Sequence, residues 1–162
     1  MLPPAETVDL LAFRSMPQLA QALRRRIDRV IQRWTEAVER HLPDADDLTR
    51  KQVRDSIPTI LEKIAAALES GRATDTFVLA EVGVAHGVAR FQENYNIEEV
   101  LIEYRILRRV IFDELQDSAG NNLSFMDAIP VDMGIDTALQ QGVTSFVRHL
   151  AEQLKSAAAA ES

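Results

Sequence analysis

Between Phe77 and Gln92 the chain is apolar almost all round the helix it predicts. The run Val78-Leu79-Ala80-Glu81-Val82-Gly83-Val84-Ala85-His86-Gly87-Val88-Ala89-Arg90-Phe91 has only Glu81, His86 and Arg90 as strongly polar members. A helix with no polar face must be covered on more than one side, so it demands neighbours around it. Gly83 and Gly87 each cost about 1 kcal/mol relative to alanine in a helix interior. Such a cost points to close approach by a neighbouring backbone or a bound group. The segment reads as the central helix of a bundle.

Periodicity supplies the neighbours. From Gln18 to Leu42 the residues Leu19, Leu23, Ile27, Val30, Ile31, Trp34, Ala37 and Val38 fall in one sector, with Arg24, Arg25, Asp28, Gln32 and Glu36 outside it. Pro43-Asp44-Ala45-Asp46-Asp47 breaks this pattern, and Thr49 with Gln52 reads as a capping box opening a second helix. That helix carries Val53, Ile57, Ile60, Leu61, Ile64 and Leu68, stops at Gly71, and is expected to kink or break briefly at Pro58. Asn96 with Glu99 is a second capping box and opens a fourth helix from Ile97 to about Ser118, ended by Gly120. Ser124 and Asp127 begin a fifth segment, whose apolar phase changes near Pro130 and Gly134. A turn or kink is expected there, before one long terminal helix. No strand pattern and no repeat is present. The expected fold is all-α, an antiparallel bundle of about five helices with a long C-terminal helix, since short connections favour antiparallel neighbours. A flexible lead-in over 1–15 and a single domain over 16–158 complete the expected organisation.

Composition removes several functional classes. Of 162 residues, 46% are hydrophobic and 27% charged, as in one ordinary folded domain. A net charge of −7 argues against a nucleic-acid partner. The dense basic run Arg24-Arg25-Arg26 with Arg29 and Arg33 reads as a solvated face first and as a contact for an acidic partner second. The absence of cysteine rules out disulfides, thiolate metal sites and thiol nucleophiles. No stretch approaches 18 apolar residues, so no transmembrane segment is expected, and the first fifteen residues lack a secretory pattern. The expected compartment is cytoplasmic. His41, His86 and His149 stand at no metal-ligand spacing, and no phosphate-binding glycine loop or nucleophile elbow occurs. Neither an enzyme nor a metal or cofactor is expected.

The fourth helix carries the main anomaly. Ile97, Val100, Leu101, Tyr104, Leu107, Ile111, Phe112 and Leu115 make one broad face, with Arg108 near its middle, Arg105 at its edge, and Glu103 and Arg109 outside. A guanidinium keeps its proton, so a covered Arg108 needs a carboxylate, carbonyls, water or an anion. Glu81, Glu93 and Glu103 are the carboxylates considered for it. On the third helix His86 and Arg90 share a face. A hairpin of the third and fourth helices would line up His86, Arg90, Tyr95, Tyr104, Arg105 and Arg108 as one polar seam, either structural or ligand-binding. Three roles follow for the chain: a protein-interaction module that dimerises, a small-molecule sensor holding an anion or a haem, or a histidine phosphotransfer bundle. Phosphotransfer would need an exposed His86.

The stretch Ala85–Leu115, AHGVARFQENYNIEEVLIEYRILRRVIFDEL, resembles the N-terminal domain of RsbT co-antagonist RsbRD-type proteins, which is also the input module of many bacterial sensor histidine kinases. The pattern is a His-Gly followed by Arg, a Tyr at the turn, and Glu-Tyr-Arg-x-Leu-Arg on the next helix. Here it falls on His86, Gly87, Arg90, Tyr95, Glu103, Tyr104, Arg105, Leu107 and Arg108. Ile57-Pro58 and the residues after it resemble the family's second helix. Where the family often has glycine before the turn tyrosine, this chain has Asn94, which tolerates left-handed backbone geometry. The resemblance implies a regulatory input domain of a stressosome-like complex or a histidine kinase. It also implies self-association and control of a signalling partner or attached effector through the last helix, and it specifies no ligand.

Overall fold

Helices form where the apolar periodicity runs, and several of their ends, though not the starts at Met16 and Arg72, coincide with residues that cap. The structure, a computed structural model, describes residues 15–42, 47–118 and 122–162, by backbone alone at 47–55, 73 and 74. It contains α1 (Pro17–His41), α2 (Asp47–Ser70), α3 (Ala73–Gln92), α4 (Ile97–Ser118) and α5 (Phe125–Glu161), and no strand among the described residues. The fold is all-α, with five helices and a long last one.

Gly71 ends α2 at φ 62°, its N–H bonding the Ala67 carbonyl at 2.9 Å. Asn94 takes the same left-handed conformation at φ 61° after α3. There the Tyr95 N–H reaches the Arg90 carbonyl and the Asn94 N–H the Phe91 carbonyl, both at 3.1 Å, the paired bonds of a Schellman ending. The Asn96–Glu99 capping box forms, with reciprocal bonds of 2.9 and 2.8 Å, and Ser124–Asp127 makes the equivalent box for α5. α2 starts at Asp47, so Thr49 lies inside the helix rather than capping it; the Thr49 and Gln52 side chains, Gly120 and residues 1–14 fall outside the described parts. Ser15, the last residue of the expected lead-in, donates from its hydroxyl to the Glu69 carbonyl at 2.8 Å.

Neither interior proline ends its helix. α2 continues through Pro58 and α5 through Pro130, so neither a break in α2 nor a turn in α5 forms at these prolines. A proline removes one backbone bond, and the buried row Pro130, Val131, Gly134, Ile135 and Ala138 keeps α5 seated on the core across that gap.

The core gathers Trp34, Leu23, Ile57, Ile60, Leu61, Ile64, Leu79, Leu107 and Ile111, all at most 2% exposed. α1 lies antiparallel to α2, with the Met16 N–H on the Leu68 carbonyl at 2.6 Å and Arg24, further along, paired to Glu62 at 2.9 Å, and antiparallel to α4, with Arg26 on Glu114 and the Trp34 indole on the Glu103 carbonyl, both at 3.1 Å. The most extensive packing, between α3 and α5, is parallel: Gly83 meets Ala138, Gly87 meets Gly142, and Phe91 stacks edge-on against Phe146. These two helices are not neighbours in the chain: α4 returns between them and packs antiparallel to α5, with the Tyr104 hydroxyl on the Ala138 carbonyl and Arg108 on Asp132. The two helix-interior glycines find their compensation in this contact. A Cβ on Gly83 would fall 2.5 Å from the Ala138 carbonyl oxygen, and one on Gly87 would overlap the Gly142 carbonyl.

Candidate functional site

α4 turns a different face inward from the one its apolar residues suggest. Val100, Glu103, Tyr104, Leu107, Val110, Ile111, Glu114 and Leu115 are buried, while Leu101 is exposed. The buried sector is rotated by roughly 60° from the expected one, at 100° per residue. Glu103, expected outside, is 1% exposed and is the centre of the polar network. Its carboxylate accepts from Arg90 Nε at 2.9 and 3.2 Å, one bond to each oxygen, and lies 3.3 Å from His86 Nε2. The Trp34 indole N–H donates to the Glu103 carbonyl at 3.1 Å, fixing α1 to the same point.

The remaining groups close around this pair. Ser56 Oγ of α2 lies 3.0 Å from His86 Nδ1. With Nε2–H donating to the carboxylate, Nδ1 is the acceptor and the serine hydroxyl the donor, a neutral imidazole bonded at both nitrogens. Arg90, wholly buried, also donates from Nη1 to Glu93 at 2.8 Å, and its guanidinium carbon sits 5.1 Å from the Tyr95 ring centroid. Tyr104 stands edge-on to His86 at 5.5 Å and donates to the Ala138 carbonyl of α5 at 3.2 Å. Burial holds His86 below the usual imidazole range and the Arg90 charge adds to this, against the opposing pull of Glu103. For Glu103, burial pushes upward, but the His86 hydrogen bond and the Arg90 charge outweigh it and keep the carboxyl below its ordinary value. Burial raises both tyrosine hydroxyls, which stay protonated.

His86, Arg90, Tyr95 and Tyr104 are thus brought together, whereas Arg105 and Arg108 are not. Arg105 is exposed on the other side of α4. Arg108 keeps 30% of its side-chain surface and pairs with Asp132, at 2.7 Å, and Asp136 of α5, not with Glu81, Glu93 or Glu103. Both placements follow from the rotation of α4, which carries Arg108 off the centre of the buried face. The residues left out of the expected seam are Ser56, Glu93 and, above all, Glu103. One signal for Glu103 was available: a covered histidine and arginine on α3 had to find an anion, and Glu103 falls on the stripe Val100, Leu107, Val110.

A second carboxylate is buried on the same face. Glu114 accepts from Arg26 and Arg29 at 3.1 Å and from Arg33 at 2.9 Å, and Arg33 and Arg109 also hold Asp113. Burial pushes Glu114 up, and the arginine bonds more than reverse that. The basic run of α1, expected as a solvated face, therefore contributes three of its arginines to an ion-pair cluster.

Chemically, these are closed arrangements. Arg90 faces the Glu103 and Glu93 carboxylates, although its Nη2 and the Tyr95 hydroxyl are buried without a hydrogen-bond partner, and His86, 2% exposed with both nitrogens engaged, presents neither to a phosphoryl donor nor to an iron. Among the described residues no group of three acidic or histidine side chains is placed to hold a metal ion, and no helix is long and apolar enough to cross a membrane. A family model described as the RsbT co-antagonist protein rsbRD N-terminal domain matches residues 28–160. No curated protein and no solved structure matches the chain.

Proposed function

Since the chain belongs to the family of the RsbT co-antagonist protein rsbRD N-terminal domain, a regulatory domain of bacterial signalling, we propose that it is a non-catalytic, cytoplasmic input module that dimerises and passes its state through α5 to a signalling partner or effector such as a histidine kinase or stressosome output. The observation that carries this reading is the far half of α5. Residues 151–162 are exposed on all sides, and Val143, Val147, Leu150 and Leu154 repeat at spacings of four, three and four. Val147, Leu150 and Leu154 are 48%, 38% and 62% exposed. Val143 is partly buried against the core, and the exposed Val147, Leu150 and Leu154 beyond it have the spacing that supports a two-stranded coiled coil, in which apolar knobs at alternating three and four spacing face a second helix. Phe77, Phe125, Met126 and Ile129 add exposed apolar surface on the first turns of α3 and α5.

The same geometry supports a route for the signal. α3 carries His86 and Arg90 and touches α5 backbone to backbone at Gly83 and Gly87, and the Tyr104 hydroxyl bonds α5 between these contacts. A shift of α3 is transmitted to α5 because such a contact leaves no side-chain layer to absorb it. The seam of His86, Arg90, Tyr95 and Tyr104 serves in this reading as the joint of α2, α3 and α4, with Glu103 occupying the place an anionic ligand would take. Sedimentation at micromolar concentration tests the proposal. The chain is expected to run as a dimer, and Leu150→Glu with Leu154→Glu as a monomer of unchanged helicity. A monomeric wild type overturns dimerisation through α5.

A further inference from the structure

Between the last turns of α1 and the middle of α4 lies a groove of ≈ 640 Å³. Its floor is apolar: Ile102, Ile106 and Val110 follow one another at intervals of four along α4, with Ala37 opposite. Its rims are cationic, with Arg33 and Arg40 on α1 and Arg105 and Arg109 on α4. Two carboxylates also line it. Asp113 is already held by Arg33 and Arg109, and Glu36 accepts from Gln32. Arg40 and Arg105, both exposed, make no ion pair among the described residues. Four arginines against two carboxylates make this groove locally positive on a chain of net charge −7.

We propose that this groove docks an acidic amphipathic helix of a partner protein. The form of the charge decides between occupants. A small anion is best held by cations that converge on one point, but here the arginines stand in two rows. Arg33 and Arg40 are about 10 Å apart along α1, and the floor from Ile102 to Val110 extends about 12 Å, at 1.5 Å per residue. That is a track of a little over two helical turns, bounded at its Val110 end by the ion pairs of Arg33 and Arg109 with Asp113, which leaves Arg40 and Arg105 as its unpaired cations among the described residues. An incoming helix with apolar residues three and four apart would set its stripe on the isoleucine floor, and carboxylates flanking that stripe would reach Arg40 on one side and Arg105 on the other. Electrostatic complementarity of this kind speeds encounter and fixes orientation, and it weakens with salt. The surface lies away from the α5 stripe, so this docking stands whether or not the chain self-associates through α5.

The test uses the full chain and a fluorescein-labelled synthetic helix bearing leucines at three and four spacing flanked by glutamates, together with its lysine-for-glutamate twin. The acidic helix is expected to bind saturably, more weakly as salt rises, while the basic twin does not bind. Arg40→Glu with Arg105→Glu, at exposed positions that leave the melting temperature unchanged, lowers affinity for the acidic helix at least about tenfold and admits the basic one. Equal binding by wild type and variant, or none by either, overturns the proposal. So does saturable uptake of dodecanoate or inorganic phosphate, lost in the variant, without helix binding, which would make the groove a small-anion site. A change of sedimentation from dimer to monomer in the variant overturns it as well, because the groove would then be an interface between copies of the chain.

Discussion

Glu103 and Glu114 lie eleven residues apart on α4, about three turns, and so point the same way. Each is at most 1% exposed and each gathers cations, yet they are different devices. Glu103 meets His86 and Arg90 in the interior, where the partners are themselves buried. Glu114 meets Arg26, Arg29 and Arg33, whose side chains remain 27%, 63% and 39% exposed. Glu114 has no free surface because arginines cover it, whereas Glu103 has none because four helices do. A carboxylate removed at the first site strands a charge; one removed at the second releases its cations into water.

The largest expected effect therefore belongs to Glu103→Gln. It keeps the volume and removes the charge that Arg90 faces, leaving a wholly buried guanidinium with Glu93 alone. Breaking one side of a buried pair costs about 3–5 kcal/mol. Urea unfolding should show a loss of that order, unchanged when salt is raised, because screening does not reach the interior. A loss below about 1 kcal/mol would place the site in the class of exposed ion pairs and erase the contrast.

Glu114→Gln is expected to cost less, about 1–2 kcal/mol, since the three arginines can turn outward and recover hydration. The difference between wild type and variant should shrink towards zero in 1 M salt, where the screening length falls to about 3 Å. The salt series sharpens the comparison more than the absolute values do. Two carboxylates of equal exposure should give one flat and one falling line.

The two sites also mark where sequence reading of this chain succeeds and stops. Helix limits were legible where a cap is local: Asn96–Glu99 and Ser124–Asp127 sit where the bonds form, and Asn94 takes the left-handed turn as its side chain allows, whereas α2 starts at Asp47 ahead of Thr49 and α3 at Ala73 ahead of Phe77, where no side chain caps. The close approach at Gly83 and Gly87 was legible because a costly residue repeated at four spacing needs a neighbour. The orientation of α4 was not. A wheel that assigns residues to a face by side-chain type puts Glu103 and Glu114 outside, and this swings the inferred face towards Arg108 and Leu101. Burial is decided instead by pairing across helices. Arg90 on α3 with the His86 donor beside it, and Arg26, Arg29 and Arg33 on α1, each wanted an anion, and those two requirements together locate the true face. That α5 is the main partner of α3 was equally out of reach, because connection length constrains only helices adjacent in the chain.

The smallest expected effect is a pH dependence that separates the sites by sign and window. His86 is held below its ordinary value near 6.5 by burial first, with Arg90 adding and Glu103 opposing. Its neighbours are Ser56 from α2, Arg90 on its own helix, and Glu103 and Tyr104 from α4. The unfolded chain therefore takes up the proton first as pH falls, and the native state loses stability below about pH 6.5, by at most about 1.4 kcal/mol per pH unit for one proton. Glu103 and Glu114, held below the ordinary 4.5, contribute stability that is complete above that value and is lost only as pH falls through their folded pKa values. His86→Gln keeps a donor towards Glu103 and does not titrate, so subtracting its unfolding free energy from that of the wild type over pH 7 to 5 isolates the imidazole. The difference should fall with decreasing pH, while Glu114→Gln, tested the same way, should run parallel to the wild type until the carboxylate range is reached. A difference that rises instead would mean that Glu103 wins over burial and keeps His86 charged, which would make the interior site a second clamp of the same kind as the one at Glu114.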